Sequence, residues 1–157
     1  MPRGTALRPE QMPADSKPAG DRLTRNIGLT PNMMATWAQT PIAANSWAAL
    51  LGAVSKTLDV KTRACIGLAV SEANGCNDCL ALHSFTAEHL AELPADEILL
   101  ARQGHASDPK RDAAIRFARK VIETRGKTSD TDLKAVRDAG YTEANVMEII
   151  ALVALYA

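Results

Sequence analysis

The sequence predicts an all-α protein, and three observations support that expectation. From about residue 26 the chain reads as helix-like almost without interruption, each apolar run bounded by a start signal and a stop signal. No stretch shows sustained period-two alternation between turn residues, so essentially no sheet is expected. The 157 residues are 46% hydrophobic and 23% charged, ordinary for one soluble domain large enough to bury a core without staples.

Taken in order, residues 1–25 read as a flexible N-terminal arm, leaving 26–157 as the helical domain. Pro2, Pro9, Pro13 and Pro18 sit there among small and charged residues with no hydrophobic period, although such an arm can dock on a neighbouring subunit. Pro31 and Pro41 each stand where a first helical turn begins, before Asn32–Gln39 and Ile42–Lys56. Asp59 suits the cap of a helix from Val60 to about Ala73, with Asn74-Gly75 as its stop. A further helix is expected from near Cys76 to Glu92. Pro94 opens a short one through Gln103, ended by Gly104, and Asp108-Pro109 starts another to about Arg125, ended by Gly126. Ser129 with Asp132 resembles a capping box, and Thr142 caps a last helix over Glu143–Tyr156. Ala64–Val70 and Ile149–Leu155 have little polar face, which implies burial within a subunit or between subunits and suggests oligomerisation through apolar helices.

Several function classes are disfavoured at once. Eighteen basic and eighteen acidic side chains balance, with no basic stripe, so nucleic acid is not an expected partner. The strongly apolar stretch Ile149–Ala157 falls far short of the roughly 20 residues of a membrane span. Residues 1–25 contain no apolar core of a secretory signal. Three cysteines, two of them close, do not resemble an extracellular disulfide framework, so a cytoplasmic, reducing location is expected. There a close pair is redox-active or metal-binding.

The segment Val70-Ser71-Glu72-Ala73-Asn74-Gly75-Cys76-Asn77-Asp78-Cys79-Leu80-Ala81-Leu82-His83 carries the chemistry. Cys76 and Cys79 have C-x-x-C spacing, and His83 follows Cys79 at i+4. On a helix the three side chains fall within an arc of about 60°. First-turn N–H groups and the helix dipole favour thiolate over thiol. This geometry suits two-electron peroxide reduction: a thiolate becomes a sulfenic acid, the second thiol captures it as a disulfide, and the imidazole moves the proton. Position at the helix end favours Cys76 as the lower-pKa thiol, whereas proximity to His83 favours Cys79. No flavin or haem motif accompanies the pair, so the expected redox group is the Cys76–Cys79 disulfide alone, with no cofactor and no metal.

This segment resembles the core motif of the alkylhydroperoxidase-D and carboxymuconolactone decarboxylase superfamily, in its peroxidase-related branch. The resemblance spans roughly 26–157 and includes Gly28-Leu29-Thr30-Pro31-Asn32, Asp112 to Gly126 with Ser129-Asp130, and Ala139-Gly140-Tyr141. It implies an AhpD-like orthogonal helical bundle assembling into trimers or hexamers. It also implies that Cys79 is the peroxidatic cysteine, Cys76 the resolving one and His83 the relay histidine. Where the family commonly carries a relay glutamate, this chain has Ala64 after Arg63; Glu72, one turn before Cys76, is the replacement candidate. The implied activity is thiol-dependent hydroperoxide reduction in antioxidant defence, with a hydroperoxide substrate and a lipoyl-bearing or thioredoxin-like dithiol protein as reductant. Two rivals stand beside it: a carboxymuconolactone decarboxylase-like enzyme, and a non-catalytic helical oligomer binding zinc or sensing redox state. Cys65 reads as packing, His89 and His105 as surface residues, and Trp37, Trp47, Phe85 and Phe117 as core or interface aromatics, with Trp47 and Phe85 also suited to a pocket wall.

Overall fold

Capping chemistry and inward apolar stripes set the helix ends of this chain. A computed structural model describes residues 5–157; residues 1–4 of the expected arm, Pro2 among them, lie outside the described residues. All the regular structure among the described residues is helical, with no strand, and they divide into two compact units meeting in sequence at Ala53 and Val54.

The first unit holds a short 3-10 turn, Pro9–Gln11, then α1 (Lys17–Ile27), α2 (Asn32–Trp37) and α3 (Pro41–Val54). Helix α1 corrects the reading of residues 1–25 as an arm without hydrophobic period. Pro18 lies in its first turn, where a missing N–H costs nothing, and Ala19, Leu23 and Ile27 recur every four residues as an inward stripe. That stripe packs with Met34, Ala44 and Trp47. Trp37 and Trp47 meet edge to face at 5.6 Å. Gly28, at φ +86°, ends α1 and donates its N–H to the Thr24 carbonyl.

The second unit comprises α4 (Val60–Ala73), α5 (Asn77–His89), α6 (Ala95–Arg102), α7 (Pro109–Glu123), α8 (Asp130–Asp138) and α9 (Glu143–Tyr156). Helix α4 is its axis, packed against α5, α6, α7 and α9. Ile66 and Val70 face one core with Phe117, Ile149 and Leu152, while Cys65 and Leu68 face another with Ala87 and Ile115. Every residue from Cys65 to Ser71 is buried, so the apolar run foreseen in the sequence is consumed inside the unit. Helix α9 is more divided: Ile149 and Leu152 are buried, but Met147 is exposed.

The expected caps are present. Asp59 accepts from the Thr62 N–H, Asp108 accepts from the Arg111 N–H, and Ser129 with Asp132 closes a reciprocal box. Thr142 forms a second box with Asn145. Helix α5 stops three residues before the expected Glu92. The chain leaves it at Leu90 and Glu92 takes a left-handed φ of 51°, while Ala91 and Leu93 turn into the core. Among the described residues no helix is long and apolar enough to cross a membrane.

Asp59 ties the start of α4 with both carboxylate oxygens, one on the Thr62 N–H and one on its hydroxyl. Burial works to raise its pKa, but those bonds and the Arg111 charge outweigh it and hold the carboxyl below its usual range. Asp59→Ala is expected to lower the unfolding free energy by about 1 kcal/mol or somewhat more. Thermal melts followed by circular dichroism should show a drop of roughly 2–4 °C per kcal/mol, with Asp59→Asn recovering part of it.

Candidate active site

The site is built where α4 stops and α5 starts. Gly75 takes φ +63°, a conformation glycine adopts without a Cβ penalty, and its N–H donates to the Glu72 carbonyl. The Cys76 N–H donates to the Ser71 carbonyl at 3.0 Å. The chain therefore turns within three residues, and Cys76 emerges as the extended N-cap of α5 rather than as a helical residue.

Cys76 and Cys79 are joined as a disulfide with Cα atoms 5.3 Å apart, both half-buried. The Cys79 N–H donates to Cys76 Sγ at 3.3 Å, so a sulfur occupies the place of a capping oxygen. Once the disulfide opens, that amide and the free first-turn N–H groups favour negative charge on Cys76. Asp78 is exposed in the same turn.

His83 lies one turn beyond Cys79. Leu80, His83 and Ala87 stand at i, i+3 and i+7, so the imidazole shares the inward stripe of α5 with two buried apolar residues. It rests against the backbone of α4 at Gly67, where a Cβ would stand 2.6 Å from Nδ1 and 2.7 Å from Cε1. On its other side the ring meets Tyr156 of α9 edge to face, centroids 4.6 Å apart. Burial alone drives the His83 pKa down to about 4, so the ring is neutral at ordinary pH.

The remaining expected residues fall away from this group or into other work. Glu72 is engaged by Arg102 of α6, its Oε2 accepting from Nε at 2.7 Å at a partly exposed position. Cys65 is wholly buried, and desolvation pushes its thiol up to about 11. His89 stacks on Phe85 at 4.3 Å, and His105 pairs with Asp112 at 3.2 Å, both at the surface. Trp47 belongs to the core of the first unit. Among the described residues no three or more His, Cys, Asp or Glu side chains are grouped to hold a metal.

Sequence reasoning missed the two neighbours of the imidazole. Gly67 left a signal, a glycine inside an apolar helical run that ought to favour alanine. Tyr156 left none, because its approach depends on how α9 packs.

Comparison with known proteins agrees with this architecture. The sequence model described as the carboxymuconolactone decarboxylase family matches residues 38–124. No curated protein matches the chain in sequence. A cysteine-to-alanine variant of the debrominase Bmp8, solved in complex with 2,3,4-tribromopyrrole, superposes with a TM-score of 0.85 at 20% identity, covering 99% of this chain and 84% of that one. An alkylhydroperoxidase AhpD core, an uncharacterized peroxidase-related protein from Ralstonia eutropha JMP134, gives 0.84 at 22% identity over 98% and 84% of the two chains. An uncharacterized peroxidase-related protein from Silicibacter sp. TM1040 gives 0.82 at 18% identity over 99% and 85%. These similarities show a shared AhpD-like fold.

The burial of His83 has a measurable consequence. Its folded pKa of about 4 lies below the unfolded value of 6.5, so above pH 6.5 both states are neutral and no penalty arises. As pH falls from 6.5 toward 4, the unfolded chain takes up a proton that the folded one refuses. The protein should lose about 3 kcal/mol of stability over that window. Denaturant titrations at pH 7 and pH 4 check this, and His83→Gln should flatten the difference by that amount.

Proposed function

The chain belongs to the carboxymuconolactone decarboxylase family, and within it we propose that this protein is a thiol-dependent hydroperoxide reductase. The observation that carries the reading is a bonded cysteine pair at the opening turn of α5, with a neutral imidazole one turn away.

In the proposed cycle the Cys79 thiolate attacks the terminal oxygen of a hydroperoxide. The O–O bond breaks, an alcohol leaves, and Cys79 becomes a sulfenic acid. Cys76 then attacks that sulfur; water departs, and the disulfide forms. An N-cap position that favours thiolate suits Cys76 to the resolving step, since it is ready as a nucleophile near neutral pH. A dithiol protein, lipoyl-bearing or thioredoxin-like, supplies two electrons and two protons to reopen the bond. Such a cycle fits a reducing, cytoplasmic setting.

Magnitudes decide what His83 contributes. Moving a proton from an ordinary thiol near pKa 8.5 onto an imidazole near 4 costs about 6 kcal/mol, so imidazolium does not accumulate. The ring therefore passes the proton onward to the departing alkoxide, a far stronger base, and acts as a relay. With Glu72 held by Arg102, the relay in this reading rests on His83.

We extend the reading to a homo-oligomer, a trimer or hexamer. Ile42 is 80% exposed, and Leu99 and Met147 are also open in the single chain, apolar surface of the kind that subunit contacts cover. Light scattering is expected to give a multiple of the monomer mass; a monomer at micromolar concentration would remove this part.

The central test joins intact mass to turnover. Reduced protein treated with one equivalent of peroxide should become lighter by two hydrogen atoms, and Cys79→Ser should lower peroxide consumption by at least 100-fold, the scale expected when a nucleophile is removed. Full turnover in that variant refutes the assignment. Activity on a lactone acid surviving loss of both cysteines would favour decarboxylation. Reductive debromination of a bromopyrrole without peroxide turnover would favour the chemistry named for the debrominase of the same fold.

A further inference from the structure

We propose that Tyr156 is a positioning residue, clamping the His83 imidazole edge to face against the bare α-carbon of Gly67. The inference rests on the reading of His83 as proton relay and deepens it.

Three helices meet at this ring. Helix α5 supplies the imidazole, α4 supplies a seat without a side chain, and α9 supplies the aromatic lid. The seat is tight: an added Cβ at Gly67 would stand 2.6, 2.7 and 3.1 Å from Nδ1, Cε1 and Cγ of His83. Contacts under 3.0 Å do not persist, so any side chain at 67 forces the ring to move. The lid is close as well, with ring planes at 75° and centroids 4.6 Å apart, in the favoured edge-to-face range.

Packing has to orient this ring, because among the described residues no hydrogen bond to either ring nitrogen holds it, and burial alone shifts its pKa. A histidine has two rotatable side-chain bonds, and without a polar anchor its direction is set by the surfaces on either side. A relay is effective only when its nitrogen is held within hydrogen-bond reach of the group it serves. Ionisable groups on the elements that meet at the clamp include Cys76, the N-cap of α5, Cys79 in its first turn, Tyr156 on α9, and Arg63 on α4, whose charge acts on the phenol. Burial raises the Tyr156 pKa against that charge, so the phenol stays neutral and its ring serves as a wall.

The test reads His83 directly. Proton NMR on the full-length reduced protein follows the His83 titration in wild type, Tyr156→Ala, Tyr156→Phe and Gly67→Ala, with His89 and His105 as internal references and circular dichroism to verify folding. In Tyr156→Ala, water should reach the ring, its midpoint should rise by one pH unit or more, and peroxide turnover should fall roughly tenfold or further. Tyr156→Phe, which keeps the ring, should rescue both readouts. Gly67→Ala should move the His83 resonances and lower turnover while leaving KM for peroxide within about twofold; if it does not fold, the Tyr156 pair decides alone. An unchanged His83 midpoint in Tyr156→Ala overturns the clamp. Loss of turnover in Tyr156→Phe with an unmoved midpoint overturns it too, since the hydroxyl would then carry the proton. The titration needs no catalysis: active Cys79→Ser sinks the peroxidase reading alone, and an unmoved midpoint sinks the clamp alone.

Discussion

The close approach of α5 to α4 at Gly67 is the constraint on which the placement of the His83 ring, and with it the proposed relay, depends. A helix buried on every side, from Cys65 to Ser71, offers a single polar side chain, the Ser71 hydroxyl, on which to build a site. It also offers one position without a side chain, and there an imidazole from the neighbouring helix settles onto backbone. The helix-weakening effect of an interior glycine, about 1 kcal/mol against alanine, is offset by a contact that alanine would forbid. In the proposed relay, packing and function therefore share one atom-sized vacancy, since a side chain at Gly67 would push on both the neighbouring helix and its imidazole.

Around that seat the environment changes steeply over about two turns of α5. At its start, Cys76 sits half-buried against an amide donor that welcomes negative charge. One turn past Cys79, the half-buried His83 lies where its protonated form is disfavoured and its basicity is suppressed. A pair of groups whose surroundings push charge in opposite directions is a common signature of a reacting centre. The helix end supplies one environment and the core supplies the other, so neither requires a distant charged partner.

Much of this was legible in the sequence where the determinants are local. Asp59, Asp108, Ser129 and Thr142 cap their helices as their residue types suggest, and the bounds of α4 and α9 follow from them. The cysteine pair and its histidine stand on one short segment, so spacing alone brought them to notice. The failures have physical causes. Pro18 was read with three other prolines as part of an arm, but it occupies a first turn that tolerates it, and the stripe behind it, Ala19, Leu23 and Ile27, was too faint beside them. The end of α5 depends on Ala91 and Leu93 finding the core, a tertiary preference that a helical pattern conceals. The partnership of Glu72 with Arg102 and the lid supplied by Tyr156 join residues 30 and more positions apart, beyond any periodicity.

The third sulfur of the chain has its own implication. Cys65 is sealed within the core, and its thiol is held in the protonated form well above neutral pH. A group in that state neither attacks an oxidised neighbour nor yields to an oxidant dissolved in water. In the proposed cycle, electron traffic would therefore stay on the Cys76–Cys79 couple, with no spare thiol to divert an intermediate into a wrong linkage, and repeated oxidation and reduction would return the chain to the same two covalent forms.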